Sequence, residues 1–291
     1  MGGGSWTREA FTRYSTSLGR GVTADGAADI KNLSASQVYV QRYLNAKLNP
    51  RGVIRECVDS EEHPNTIPVI LALDVTGSMG QTAVEVAAEL NKIMTKLYEE
   101  VQDVEFMIMG IGDLYCDDAP LQVSQFESDI RIAEQLDQLW FEFGGGGNLW
   151  ESYTAPWAFG ISQIQLDCWK RGKKGIIITM GDEELNPELD IVDYNNKVSD
   201  SEHQFNKNID TKELYNLAKD KFSIYHINVK HGYRDPDMDR WYGVLGKENV
   251  ITVPVAGVAQ AITDIVLKEA KEPVIKVGNG GKVDENGYIE W

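Results

Sequence analysis

Ile67-Pro68-Val69-Ile70-Leu71-Ala72-Leu73-Asp74 runs directly into Val75-Thr76-Gly77-Ser78-Met79-Gly80. The first eight residues are a continuous apolar run closed by one acid, the pattern of a strand buried on both faces of a parallel sheet. The polar, glycine-containing turn then opens a helix of about five turns. Val86, Leu90, Ile93, Met94, Leu97 and Val101 form its apolar stripe, and Glu85, Glu89, Lys92 and Lys96 are expected opposite them, in solvent. A buried strand, a tight turn and an amphipathic helix make the first unit of an alternating chain.

The pattern recurs downstream. Val104–Ile111 reads as a buried strand, residues 121–126 as a shorter one, and residues 130–140 as a helix. Four glycines, residues 144–147, precede a long helix expected over residues 150–169. Residues 175–179 are another apolar strand, and 222–229 and 250–253 are two more strands, the last followed by a helix over residues 258–270. Strands alternating with helices predict an α/β fold: a doubly wound, mostly parallel central sheet, Rossmann-like, with helices on both faces.

Around that domain, placed at 67–271, lie weaker signals. Residues 1–34 are rich in Gly, Ser, Thr and Ala without a sustained period and read as a flexible arm. Residues 35–66 form a lead-in packing on the domain, with a short helix over 35–48. The polar segment 184–221 reads as an insertion with one or two short helices, and 272–291 as a terminal hairpin or tail.

Composition excludes several classes. With 28 basic against 45 acidic residues the formal charge is −17, which disfavours nucleic acid and anionic membrane as partners. The basic run Lys170, Arg171, Lys173, Lys174 reads as a solvated turn. Cys57, Cys116 and Cys168 are odd in number, lack a CxxC and read as reduced thiols. No basic start leads into an apolar run, and nothing approaches the roughly 18 apolar residues of a membrane span. The expectation is a cytoplasmic protein.

Chemistry is expected where three polar turns meet at the carboxyl ends of the strands. In the first, Asp74, Thr76 and Ser78 put one carboxylate and two hydroxyls at alternate positions, so they face one point. Such oxygens suit a hard cation that keeps several waters. The second turn offers Asn148 and Glu151 after the glycines, with Glu151 expected in a first helical turn. The third is Thr179-Met180-Gly181-Asp182-Glu183. Asp113 ends another strand nearby, a supporting group or a solvated loop acid like Asp117 and Asp118. Trp150 is the best candidate for an exposed partner contact.

The stretch 67–80 resembles the opening of von Willebrand factor type A domains, whose metal-ion-dependent adhesion site begins Asp-x-Ser/Thr-x-Ser after the first buried strand. Asp74, Thr76 and Ser78 match it. The family's next ligand, usually Thr in a Gly-rich loop, falls on Asn148, and its last, an Asp after a later strand, falls on Asp182. The resemblance covers residues 66 to 270. It implies Mg²⁺, or Mn²⁺ or Ca²⁺, at Asp74, Thr76, Ser78, Asn148 and Asp182, with Glu151, Asp113, Trp150 and Glu183 around them. It implies a protein partner whose carboxylate completes the coordination, by family analogy an ATPase or kinase component of an intracellular assembly.

Enzyme readings fare worse. A phosphatase with a strand-end Asp nucleophile needs a second Asp where Thr76 stands. Thr76-Gly77-Ser78-Met79-Gly80 lacks the glycine of a nucleophile elbow and the lysine of a P-loop. His226 reads as a packed strand residue; His63, His203 and His231 are scattered. The expectation is no enzyme. A scaffold protein acting through its termini, and less so a metal-assisted hydrolase, are the alternatives.

Overall fold

The computed structural model describes residues 4–143, 150–230, 236–271, 282–283 and 289–290. Its centre is a six-stranded sheet: β1 (Ile67–Asp74), β2 (Val104–Ile111), β3 (Leu121–Val123), β4 (Gly175–Gly181), β5 (Phe222–Lys230) and β6 (Val250–Pro254). Their spatial order is β6-β5-β4-β1-β2-β3, all neighbours parallel except the antiparallel β2–β3 pair. The chain winds outward from β1 through β2 and β3, then returns to β1's other side and winds outward again. The strand order therefore reverses between β1 and β4, where an open α/β sheet leaves a crevice at its carboxyl edge.

Alternation along the strands builds a core on each side. Val69, Leu71 and Leu73 of β1 face one cluster with Ile176, Ile178 and Met180 of β4. Ile70 and Ala72 face the other with Ile177. The first layer is covered by α3 (Gly80–Glu100) and α9 (Val258–Lys271), joined by the helices α1 (Arg8–Ser17), α2 (Ala35–Val38) and α4 (Arg131–Leu136). The second is covered by α5 (Ala155–Gln163), α7 (Thr211–Ala218) and α8 (Asp239–Leu245), with α6 (Ile191–Lys197) at its side. No helix among the described residues is long and apolar enough to cross a membrane.

The reading of residues 1–34 as a flexible arm needs correction. Trp6, Phe11 and Ile30 are buried in the first layer, and the Trp6 indole N–H donates to Asn91 Oδ1 of α3 at 2.9 Å. Lys31 bridges Glu85 and Glu89 at 2.8 and 2.6 Å, and Lys92 meets Asp25 at 2.6 Å. The face of α3 expected in solvent is thus roofed by the amino-terminal segment. That segment is short of apolar residues, but a few large ones and a row of ion pairs hold it. Gly80, at the start of α3, makes room for this covering; a Cβ there would lie 2.7 Å from Cβ of Ala35.

Other boundaries shift as well. The helix expected over 35–48 is α2 plus one 3-10 turn at Ala46–Leu48. The helix expected over 130–140 is confined to α4. The long helix expected over 150–169 breaks into two short strands, one helix and the start of a 3-10 turn at Asp167–Arg171. Trp150–Glu151 pairs in parallel with Glu184–Leu185, α5 follows with Pro156 near its start, and Ile164–Leu166 pairs in parallel with Arg55–Cys57. Trp157, Ala158 and Phe159 on α5 are all fully buried, so this stretch has no polar face to give it a period. The segment 184–221 carries α6 and α7, and its Leu185, Leu189, Tyr194 and Leu214 belong to the second core layer.

Candidate metal centre

Asp74 is the last residue of β1, and its parity with Ile70 and Ala72 turns its carboxylate toward the second layer, where it is fully buried. Its Oδ1 accepts the backbone N–H of Thr76 at 2.9 Å and the Thr76 hydroxyl at 2.5 Å. Its Oδ2 accepts the hydroxyl of Tyr153 at 2.8 Å. Thr76 Oγ1 lies 3.5 Å from Ser78 Oγ, and Ser78 donates to Asp182 Oδ1 at 3.0 Å. A continuous chain of oxygens, Asp74–Thr76–Ser78–Asp182, therefore links the carboxyl ends of β1 and β4 at the reversal of strand order.

The electrostatics are those of crowded acids. Burial, and then the charge of Asp182, push the Asp74 carboxyl up to about 7, against the bonds from Thr76 and Tyr153. Glu151 goes further, to about 10, through burial and then the charges of Asp74, Asp113, Asp117 and Glu183. Its Oε2 is buried and has no hydrogen-bond partner among the described residues. Neither Asp74 nor Glu151 forms an ion pair with a basic side chain among those residues. A buried carboxylate that pairs with no basic side chain among the described residues is costly to ionise.

The sequence-predicted residues divide into groups. Asp74, Thr76, Ser78 and Asp182 come together as one hydrogen-bonded set. Asn148 lies outside the described residues. Glu151 is not in a helical first turn but in the short strand beside Glu184–Leu185, buried and within electrostatic reach of Asp74. Asp113 is buried and bound into its own loop, accepting the Tyr115 amide at 2.9 Å and the Cys116 thiol at 3.0 Å. Trp150 is half-buried with the Arg240 guanidinium 6.0 Å from its ring centre. The Glu183 carbonyl accepts the Trp241 indole N–H at 3.2 Å.

Two residues of the site have a role that the sequence does not assign them. Tyr153 orients Asp74 from the second layer, and the only hint of it is its place just after the Gly-rich turn. Gly181 is the other: a Cβ there would lie 1.9 Å from the Tyr153 hydroxyl, so the strand end must be glycine for Tyr153 to reach Asp74. Behind Tyr153, His226 stacks on Trp241 with ring centres 3.6 Å apart and faces Thr179 Oγ1 at 3.0 Å through Nδ1. Burial alone holds its imidazole down to about 3, so it is neutral.

All four convergent groups offer oxygen, the donor set a hard cation takes. Among the described residues no three of His, Cys, Asp or Glu gather into a metal cage; this set has two carboxylates and completes itself with hydroxyls. Asp74, Thr76, Ser78 and Asp182 would suit a cation of the Mg²⁺ kind, a hard ion that takes oxygen ligands.

No model of a known protein family matches the chain, and no curated protein matches it. Among solved structures it is similar to the pilus adhesin SpaC from Lactobacillus rhamnosus GG, with 13% identity and a TM-score of 0.45 over 78% of this chain and 33% of that one. It is also similar to BatB from Bacteroides thetaiotaomicron, with 14% identity and a TM-score of 0.41 over 71% of this chain and 100% of that one. A third is a von Willebrand factor type A structure from Catenulispora acidiphila, with 14% identity and a TM-score of 0.39 over 71% and 43% of the two chains. The chain spans about a third of SpaC. Likeness at this level says nothing of activity, and the doubly wound α/β assignment stands on the strand order itself.

Proposed function

We propose that this chain is a divalent-cation-dependent protein-interaction module of the von Willebrand factor A kind. One observation carries the reading: the Asp74–Thr76–Ser78–Asp182 chain of oxygens at the reversal of strand order, beside a buried Glu151 whose Oε2 has no hydrogen-bond partner among the described residues. Asp74, Thr76, Ser78 and Asp182, joined by Asn148 as the family resemblance implies, would hold Mg²⁺ or a similar ion directly or through water. Bound there with mostly neutral ligands, such an ion stays electrophilic and accepts one further anionic oxygen. The partner is a protein presenting an Asp or Glu side chain, in the family pattern a component of an intracellular assembly.

Tyr153 fixes the direction of one Asp74 oxygen, and the Thr76 amide fixes the other. The site is thus held in place by groups that need not move when an ion arrives. The alternative of a scaffold acting through its termini loses the support of a free amino-terminal arm, because Trp6, Phe11 and Ile30 are built into the core.

Titration calorimetry of Mg²⁺ and Mn²⁺ into chelator-stripped protein tests the reading. Saturable one-site binding that Asp74→Ala abolishes is expected, followed by metal-dependent capture of an acidic partner. A wild-type protein that takes up neither ion sinks it.

A further inference from the structure

We propose that the opposite, amino-terminal end of the sheet carries a second binding site, a cavity of about 400 Å³ that takes a small organic anion with an apolar or aromatic body. Ile161, Ile164, Leu166, Trp169 and Lys221 are among the residues that line it. Its volume lies in the range of about 300–1,000 Å³ typical of small-molecule sites. Lys221 immediately precedes β5, whereas Asp74 and Asp182 lie at the carboxyl ends of their strands, roughly 20 Å away along β4. The proposal is therefore independent of the cation site.

The ligand's charge follows from the cavity's own charges. Asp167 accepts from Lys170 at 2.8 Å and from the Asp59 amide at 3.0 Å. His203 faces Asp200 at 2.7 Å. Glu56 is exposed, so water satisfies it. Lys221 remains: it is half-buried, and its ammonium has neither an ion pair nor a hydrogen-bond acceptor among the described residues. Burial lowers its pKa with no acid acting against it. A partly desolvated ammonium without a counter-charge is costly, and an anion in the cavity removes that cost.

The wall beside it defines the ligand's body. The Lys221 Nζ lies 4.9 Å from the centre of the Trp169 ring. That ring is held by its indole N–H, which donates to the Lys221 carbonyl at 3.0 Å, and by edge-on contact with Phe222 at 5.8 Å. The ammonium thus sits over a fixed aromatic ring at the wall of the cavity, and Ile161, Ile164 and Leu166 supply apolar surface in a lining that also holds Ser162, Gln165 and His203. A carboxylate or sulfonate on a short aromatic or alkyl frame matches all three elements.

The probe is 8-anilinonaphthalene-1-sulfonate, titrated by fluorescence in the presence of chelator so that the cation site plays no part. Single-site binding is expected in the wild type, weakened at least about tenfold in Lys221→Met and kept within about threefold in Lys221→Arg. Ile161→Trp, which fills the cavity, should abolish it. Competition should follow charge, with 4-phenylbutyrate displacing the probe and 4-phenylbutylamine failing to do so. Thermal melts identify variants that remain folded, and the competition pair needs no variant at all. Equal affinity in folded Lys221→Met, equal competition by the amine, or no saturable binding in the wild type overturns the proposal.

Discussion

Asp74 concentrates the chemistry of this molecule because three constraints meet on one carboxylate: complete burial, a nearby acid and three hydrogen-bond donors. With its pKa pushed up to about 7, a cation arriving below that pH has to displace a proton. The apparent Mg²⁺ affinity should therefore fall by about tenfold per pH unit below 7 and level off above it. Calorimetry at pH 5.5, 6.5 and 8 reads this directly, and a flat profile would count against Asp74 as the titrating ligand. Gly181 offers a test that leaves every candidate ligand in place. Gly181→Ala puts a methyl group where the Tyr153 hydroxyl sits. We expect a loss of about 1–3 kcal/mol from overpacking, seen as a lower Tm, together with weakened metal binding as Tyr153 is driven off Asp74. Unchanged stability and unchanged affinity would show that Tyr153 has room to move. The Asp74, Thr76 and Ser78 triplet was legible in the sequence, because alternate polar residues after a buried strand are a local pattern. Tyr153 and Gly181 were not, because their importance lies in a contact 28 residues apart that no local pattern encodes.

At the scale of elements, the strands that read well are those whose environment is uniform. β1, β2, β4 and β5 are buried on both faces, so mostly apolar runs announce them, despite Glu105 in β2 and His226 and Asn228 in β5. The stretch 150–169 fails for the same reason turned around: α5 is apolar on every side, so periodicity could not separate it from the short strands before and after it. Those strands hold only through pairing with Glu184–Leu185 and Arg55–Cys57, partners far away in sequence. The packing of β5 against α8 has a consequence for pH. His226 on β5 stacks on Trp241 of α8 and titrates near 3 instead of 6.5 when folded. The unfolded chain takes up a proton below 6.5 that the folded one refuses until about 3. The stability that the neutral imidazole permits is therefore complete above 6.5 and is lost as pH falls, by about 1.4 kcal/mol per unit. Denaturant melts at pH 7, 5.5 and 4.5 should show a shallower loss in His226→Gln than in the wild type. Parallel lines for the two proteins would mean that the folded state protonates His226 without penalty.

The whole molecule is more unified than its composition implies. A segment of low hydrophobicity at the amino terminus covers the polar face of α3, and Asn91 joins them twice, accepting from Trp6 and donating to the Gly26 carbonyl at 3.0 Å. Average hydrophobicity misses such a segment because its hold comes from a few large side chains, while its ion pairs replace water on charges that would otherwise have been solvated. Trp6 is 6% exposed, and truncating a tryptophan in such a setting costs about 3–5 kcal/mol. Trp6→Ala should then lower Tm by roughly 10 °C, allowing about 2–4 °C per kcal/mol for a domain of this size. Tyr43→Ala is the matched control, since Tyr43 is 72% exposed and should leave Tm nearly unchanged. If Trp6→Ala melts with the control, residues 5–34 are a loose appendage after all. If it melts early in a single transition, the amino-terminal segment and the sheet unfold as one cooperative unit.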